Sequence, residues 1–320
     1  MTDTNDSLEL LRQVRLALQN NRYEDAITYL KQTVQLAHRV GDLGAEGRHL
    51  GNLALIYYRL SQPEKALTYF KQALDRARQE GDRATEDGLL GNMGNILREL
   101  NRYDEAIEYL NHALLIAHEI GDMRGRGIWL GNLGLVYDDL RQPDKAVELH
   151  REAVEIARTL QDRRGLAARL GNVGNSYVSL GDYAAAADNF KEAVEIFQAL
   201  GEKRELALRM GIIGNLHSEM GRAAASTDEA SAHFITALDY YNQTLALARE
   251  LGDRDSEAQL LRSIGNTLGN SGQYDEAIQH FRASHKLFQA LGQIDPLAEL
   301  QSNIELATAY RDQINAPPMN

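Results

Sequence analysis

The stretch LGNLGLVYDDL, residues 130–140, sets two glycines and an asparagine inside a pattern that otherwise reads as an amphipathic helix. Glycine costs roughly 1 kcal/mol against alanine in a helix interior and asparagine several tenths, so Gly131, Asn132 and Gly134 are selected for something other than local stability. The stretch returns every 40 residues, as LGNLALIYYRL from 50, LGNMGNILREL from 90, LGNVGNSYVSL from 170 and MGIIGNLHSEM from 210. After a slip of 11 residues it resumes as LRSIGNTLGNS from 261. A second block keeps the same period, and its alanine never changes: Ala26, Ala66, Ala106, Ala146, Ala186, Ala237 and Ala277.

Each unit divides into two helical segments, A and B. Pro63 and Pro143 stand where other units have Tyr23, Tyr103, Tyr183 and Tyr274. Proline is tolerated in the first turn of a helix and not deeper, so these residues mark the start of helix B. Glycine followed by aspartate, at Gly41, Gly81, Gly121 and Gly252, predicts a helix ending on a left-handed glycine and the next starting on an Asp N-cap. No strand-like alternation occurs.

The pattern L-x2-L-G-x2-Y, carried by Leu130, Leu133, Gly134 and Tyr137, with A-x3-F at Ala66 and Phe70 or Ala277 and Phe281, resembles the tetratricopeptide (TPR) repeat. The units are 40 residues long rather than 34 and lack the proline that closes helix B, so they are most similar to the long repeats of LGN/Pins scaffolds, kinesin light chains and bacterial TPR regulators. The resemblance implies an all-α, right-handed α-solenoid of about seven TPR helix-turn-helix units plus a C-terminal capping helix. The expected boundaries are a flexible N-terminus at 1–6; units at about 7–42, 43–82, 83–122, 123–162, 163–202, 203–253 and 254–292; a capping helix at 293–315, started by Asp295-Pro296; and a disordered tail at 316–320. The 11 extra residues, near 223–233, are expected to lengthen the turn or helix B of the sixth unit.

At about 100° per residue, Leu130, Leu133, Gly134 and Tyr137 share the core face of helix A. Gly134 and its equivalents Ala54, Gly94, Gly174, Gly214 and Gly265 are read as the crossing with helix B, and Gly131 as a contact between successive A helices. The opposite stripe should line the concave wall of a stacked solenoid. Eight asparagines recur there in phase: Asn52, Asn92, Asn95, Asn132, Asn172, Asn175, Asn215 and Asn266. A carboxamide offers donors and an acceptor, as an extended peptide backbone requires, so these asparagines are the candidate peptide-binding groove. Arg12, Arg15, Arg48 and Arg59 make the first quarter of the stripe basic, while Glu99, Asp138, Asp139 and Glu219 make its middle acidic. A bound segment is therefore expected to be acidic at one end and basic near its centre. The carboxylate clamp of chaperone-binding TPRs requires a lysine where this chain has Leu11 or Gly51.

No catalytic constellation emerges. The glycines of GRGIWLG, residues 125–131, imitate a nucleotide loop but follow no strand. No two of the nine histidines stand four apart, so no helix presents a zinc-binding His pair. His150 and His280 occupy slots held elsewhere by Leu110 or Phe190 and by Tyr69 or Tyr109, and read as packing or surface variants. Trp129 reads as a ligand contact or as a filler between repeats. Absent cysteine excludes disulfides, and a net charge of −12 disfavours nucleic acid and anionic membranes. With no leader-like or membrane-spanning stretch, the expectation is a cytoplasmic, non-catalytic scaffold without cofactor or metal. It would bind an extended or helical protein segment. A peptide- or ligand-sensing module controlling an output partner is the alternative, and an enzyme or phosphatase-like regulator a further one.

Overall fold

The structure, a computed structural model, describes residues 2–316, with side chains from residue 7 onward. Residues 317–320 of the expected tail lie outside the described residues. Every regular element described is an α-helix. Two compact units, Met1–Leu160 and Gln161–Asn320, divide the chain.

The first unit holds α1 (Thr2–Gln19), α2 (Tyr23–Val40), α3 (Leu43–Arg59), α4 (Pro63–Glu80), α5 (Arg83–Glu99), α6 (Tyr103–Ile120), α7 (Met123–Asp139) and α8 (Pro143–Thr159). Helix α1 starts at Thr2, inside the segment expected to be flexible. The second unit holds α9 (Arg163–Leu180), α10 (Tyr183–Leu200), α11 (Lys203–Ala223), α12 (Thr227–Leu251), α13 (Arg254–Asn270), α14 (Tyr274–Ala290) and α15 (Asp295–Asn315). Within each unit every helix packs on its predecessor and successor in the chain, which is the connectivity of an all-α solenoid.

Local chemistry sets the boundaries. Gly41 ends α2 in the left-handed region at φ 76°, and the Asp42 N–H closes the cap on the Ala37 carbonyl at 3.0 Å. The Asp42 carboxylate then accepts the Ala45 N–H at 2.8 Å and starts α3. Asp82, Asp122, Asp162 and Asp253 cap α5, α7, α9 and α13 in the same way. Turns from A to B place Asn21, Ser61, Asn101 and Arg141 at φ of 54–58°. Side chains with a Cβ rarely adopt this conformation. It persists because the next N–H reaches back to the helix, as Gln62 does to the Tyr57 carbonyl at 2.9 Å.

Packing follows the small-residue columns. All seven repeat alanines are fully buried. A Cβ on Gly134 would stand 2.5 Å from the His150 ring; on Gly94, 2.6 Å from Leu110; on Gly174, Gly214 and Gly265, 2.7 Å from Phe190, Tyr241 and Phe281. These glycines let helix B approach, as their spacing predicts. The companion column is uneven. Gly91 receives the Trp129 ring, Gly51 touches Leu89 at 3.6 Å and Gly171 the Arg209 guanidinium at 3.0 Å. Trp129 is thus a filler between A helices.

The inserted residues lengthen both helices of their hairpin rather than helix B alone. A second crossing appears in step with the first: Gly221, seven residues after Gly214, meets Phe234, seven residues before Tyr241, at 2.6 Å. An antiparallel hairpin can grow this way without disturbing the crossing below it, because residues gained on one helix face residues gained on the other.

Candidate functional site

The A helices turn one stripe to the core and the other outward. In the first unit Arg12, Arg15, Arg48, Asn52, Arg59, Glu99 and Asp139 are exposed, and Asn92, Asn95 and Asn132 half-buried. Asn92, Asn95 and Asn132 meet Leu55, Tyr58 and Leu135 around a shallow hollow of about 200 Å3. The carboxamides of Asn52, Asn92, Asn95 and Asn132 make no intramolecular hydrogen bond. The Asn132 Nδ2 is closed off from solvent as well, so it is a donor lacking a partner.

The acids of the stripe are already engaged. Glu99 accepts the Tyr58 hydroxyl at 2.5 Å, a bond that raises the Tyr58 pKa. Asp139 pairs with Arg98 at 3.5 Å, Asp138 with His150 at 3.1 Å and Glu219 with Arg222. A centre expected to attract basic groups is therefore largely satisfied from within. The arginines are freer: Arg12 reaches Glu9 only at 3.6 Å, and Arg59 lies over the Tyr23 ring at 5.7 Å.

In the second unit Asn172 is half-buried and Asn175 exposed, both with unengaged carboxamides. Asn215 and Asn266 behave differently. Asn215 accepts the Tyr241 hydroxyl at 2.7 Å, and Asn266 meets Asn303 of α15 at 3.4 Å, so both brace neighbouring helices. Burial pushes the Tyr241 pKa up to about 12, keeping it a hydroxyl donor.

Other polar groups escaped the sequence reading because most of their partners lie on other helices. Glu46 is buried against Arg76 at 2.9 Å and His38 at 3.2 Å; Glu86 against Arg78 at 2.8 Å and Arg83 at 2.7 Å. Burial penalises the Glu86 carboxylate, but the two arginines outweigh it and hold its pKa below the ordinary value. Arg249 and Glu257 repeat the arrangement at 2.7 Å. A base in the last turn of helix B with an acid eight residues later is the signal that could have revealed it. Asp87, buried, accepts the Trp129 indole N–H at 2.8 Å, and its pKa is raised by burial.

Among the described residues no group of three or more His, Cys, Asp or Glu side chains could hold a metal ion, and no helix is long and apolar enough to cross a membrane. His217, buried against the His233 ring with Nδ1 atoms 3.1 Å apart, has its pKa lowered to about 4, first by burial and then by Lys191.

No curated protein sequence matches the chain. Solved structures do. BtubC (BKLC) from P. vanneervenii is similar with a TM-score of 0.61 at 21% identity, covering 72% of this chain and 92% of that one. The apo form of RapI is similar with a TM-score of 0.58 at 15% identity, covering 84% and 99%. A signal-transduction ATPase with a tetratricopeptide repeat sensor from Pyrococcus horikoshii reaches 0.61 at 14% identity over 95% of this chain and 52% of that one. These likenesses show the fold. Family profiles described as Tetratricopeptide repeat match residues 6–79, 86–159 and 233–290, and a second such profile matches 166–200. With well over half of its length matched, the chain belongs to the tetratricopeptide repeat family.

Proposed function

We propose that this repeat scaffold works without catalysis, holding an extended or helical segment of a partner protein against the outward face of its A helices. One observation carries the reading. Asn52, Asn92, Asn95 and Asn132 recur in phase on that face with carboxamides no other group satisfies. A carboxamide on that face without an internal partner can both donate to and accept from a peptide backbone. The arginines at the α1–α3 end favour an acidic terminus on the bound segment. A basic centre is no longer part of the proposal, since the central acids are paired internally.

The test is affinity capture by the full chain and by a variant combining Asn92→Ala, Asn95→Ala and Asn132→Ala. The variant is expected to melt at an equal or higher temperature, because alanine is the better helix former. It should lose the captured partner, each backbone contact being worth about 0.5–1.5 kcal/mol. A variant that melts early yet captures the same partner would make the asparagines structural and end this reading.

A further inference from the structure

The second unit holds a cavity of about 880 Å3 that the repeats alone do not build. The terminal helix α15 contributes Asn303 and Tyr310 to its lining, and the lengthened end of α11 contributes Glu219 and Arg222. The last hairpin adds Asn270 from α13 and Tyr274 from α14. A volume of this size is within the range of cavities that enclose small ligands.

We infer that this cavity takes a neutral oligosaccharide. A sugar carries adjacent hydroxyls, each able to donate and to accept, on a ring whose faces are C–H. The cavity answers both properties. Carboxamide, carboxylate and guanidinium groups are planar and present two hydrogen-bonding atoms side by side, the arrangement that meets two adjacent hydroxyls. Asn270, whose carboxamide makes no intramolecular hydrogen bond, Asn303 and the Glu219–Arg222 pair supply such groups. The ring of Tyr310 stacks on Tyr274 with centroids 5.6 Å apart and an angle of 18°, yet Tyr310 is 47% exposed. One face of that ring is therefore left for the C–H side of a sugar. Charge selects against ionic ligands: Glu219 pairs with Arg222, and Glu299 with Arg262 at 3.3 Å, so an ion would have to displace one of these partners. An apolar ligand would strand the amides without hydrogen bonds.

An array of neutral oligosaccharides built from glucose, mannose, galactose and N-acetylglucosamine, probed with the full chain, supplies the test. Sugars retained on the array are then measured by titration calorimetry against Tyr310→Ala, Tyr310→Phe, Asn270→Ala and the combined Asn92, Asn95 and Asn132 alanine variant. Tyr310 and Asn270 are both exposed, so none of these changes opens the core. Affinity should fall about tenfold or more in Tyr310→Ala and in Asn270→Ala. Tyr310→Phe keeps the ring face and should bind within about twofold of the unaltered chain, as should the first-unit variant. Silence across the whole array would overturn the sugar site. A sugar whose affinity neither Tyr310→Ala nor Asn270→Ala changes binds elsewhere, and that result would overturn it too. Should no sugar bind while a linear peptide from a phage library binds and is lost with Asn270→Ala, the cavity belongs to a protein partner and the sugar claim falls. Affinity capture with the first-unit variant judges the proposed function separately in every case.

Discussion

The first unit keeps the 40-residue register through four hairpins and has a shallow hollow of about 200 Å3 on its A-helix face. The second breaks register with a longer hairpin, and there the cavities reach about 880 and 650 Å3. Both obey the same crossing rule, glycine beneath a large side chain. Regular repetition therefore supplies a face, and departures from it supply depth.

Acid should separate the two units most strongly. His217 in the second unit is held neutral, its pKa lowered from 6.5 to about 4. A depressed folded-state value means that its contribution is fully present above pH 6.5 and is lost as pH falls toward 4. At roughly 1.4 kcal/mol per unit, the loss comes to about 3 kcal/mol by pH 4. In the first unit burial and Arg48 lower His49 as well, while Glu86, also depressed, loses its contribution only below the ordinary carboxylate range. Chemical denaturation followed from pH 7 to 4 should show a steep fall that His217→Gln flattens; an unchanged slope would remove this contrast.

The shared crossing rule is tested by Gly134→Leu and Gly265→Leu, one in each unit. Each overfills a crossing and is expected to cost about 1–3 kcal/mol in urea titrations. A tolerated substitution in either unit would show that its hairpin can spread. The smallest effect belongs to Asp87→Asn, which keeps an acceptor for the Trp129 indole and removes a buried charge. It should change stability by less than about 1 kcal/mol, in the stabilising direction at pH 7. A larger loss would show that the ionised carboxylate itself is needed.

How much was readable in advance depended on whether a feature repeats. The alanine column, Gly134 over His150, and the Gly-Asp caps follow from small or capping residues recurring at a fixed period, and they stand as the spacing predicts. The column of Gly51, Gly91 and Gly171 shows the limit: it meets Leu89, Trp129 and an arginine in turn, because what fills each slot comes from another repeat. The groove acids were misjudged for a related reason. Tyr58 and Glu99, or Arg98 and Asp139, are 41 residues apart in sequence, and charge counted along one helix does not see a partner on the next. The stripe of asparagines was legible as a face. That Asn215 and Asn266 brace Tyr241 and Asn303, while their counterparts stay free, depended on the neighbouring helices of the second unit.

The pairs His38–Glu46, Arg78–Glu86 and Arg249–Glu257 each fasten the end of one hairpin to the beginning of the next. A stack whose repeats touch only their neighbours would otherwise come apart one repeat at a time under tension. Pinned at these joints, α2 with α3, α4 with α5 and α12 with α13 share load across the junction, so an extending force meets blocks of hairpins rather than single ones. At the corresponding joint between α6 and α7 the two positions hold His118 and Arg126, two bases, so the same pair cannot form there.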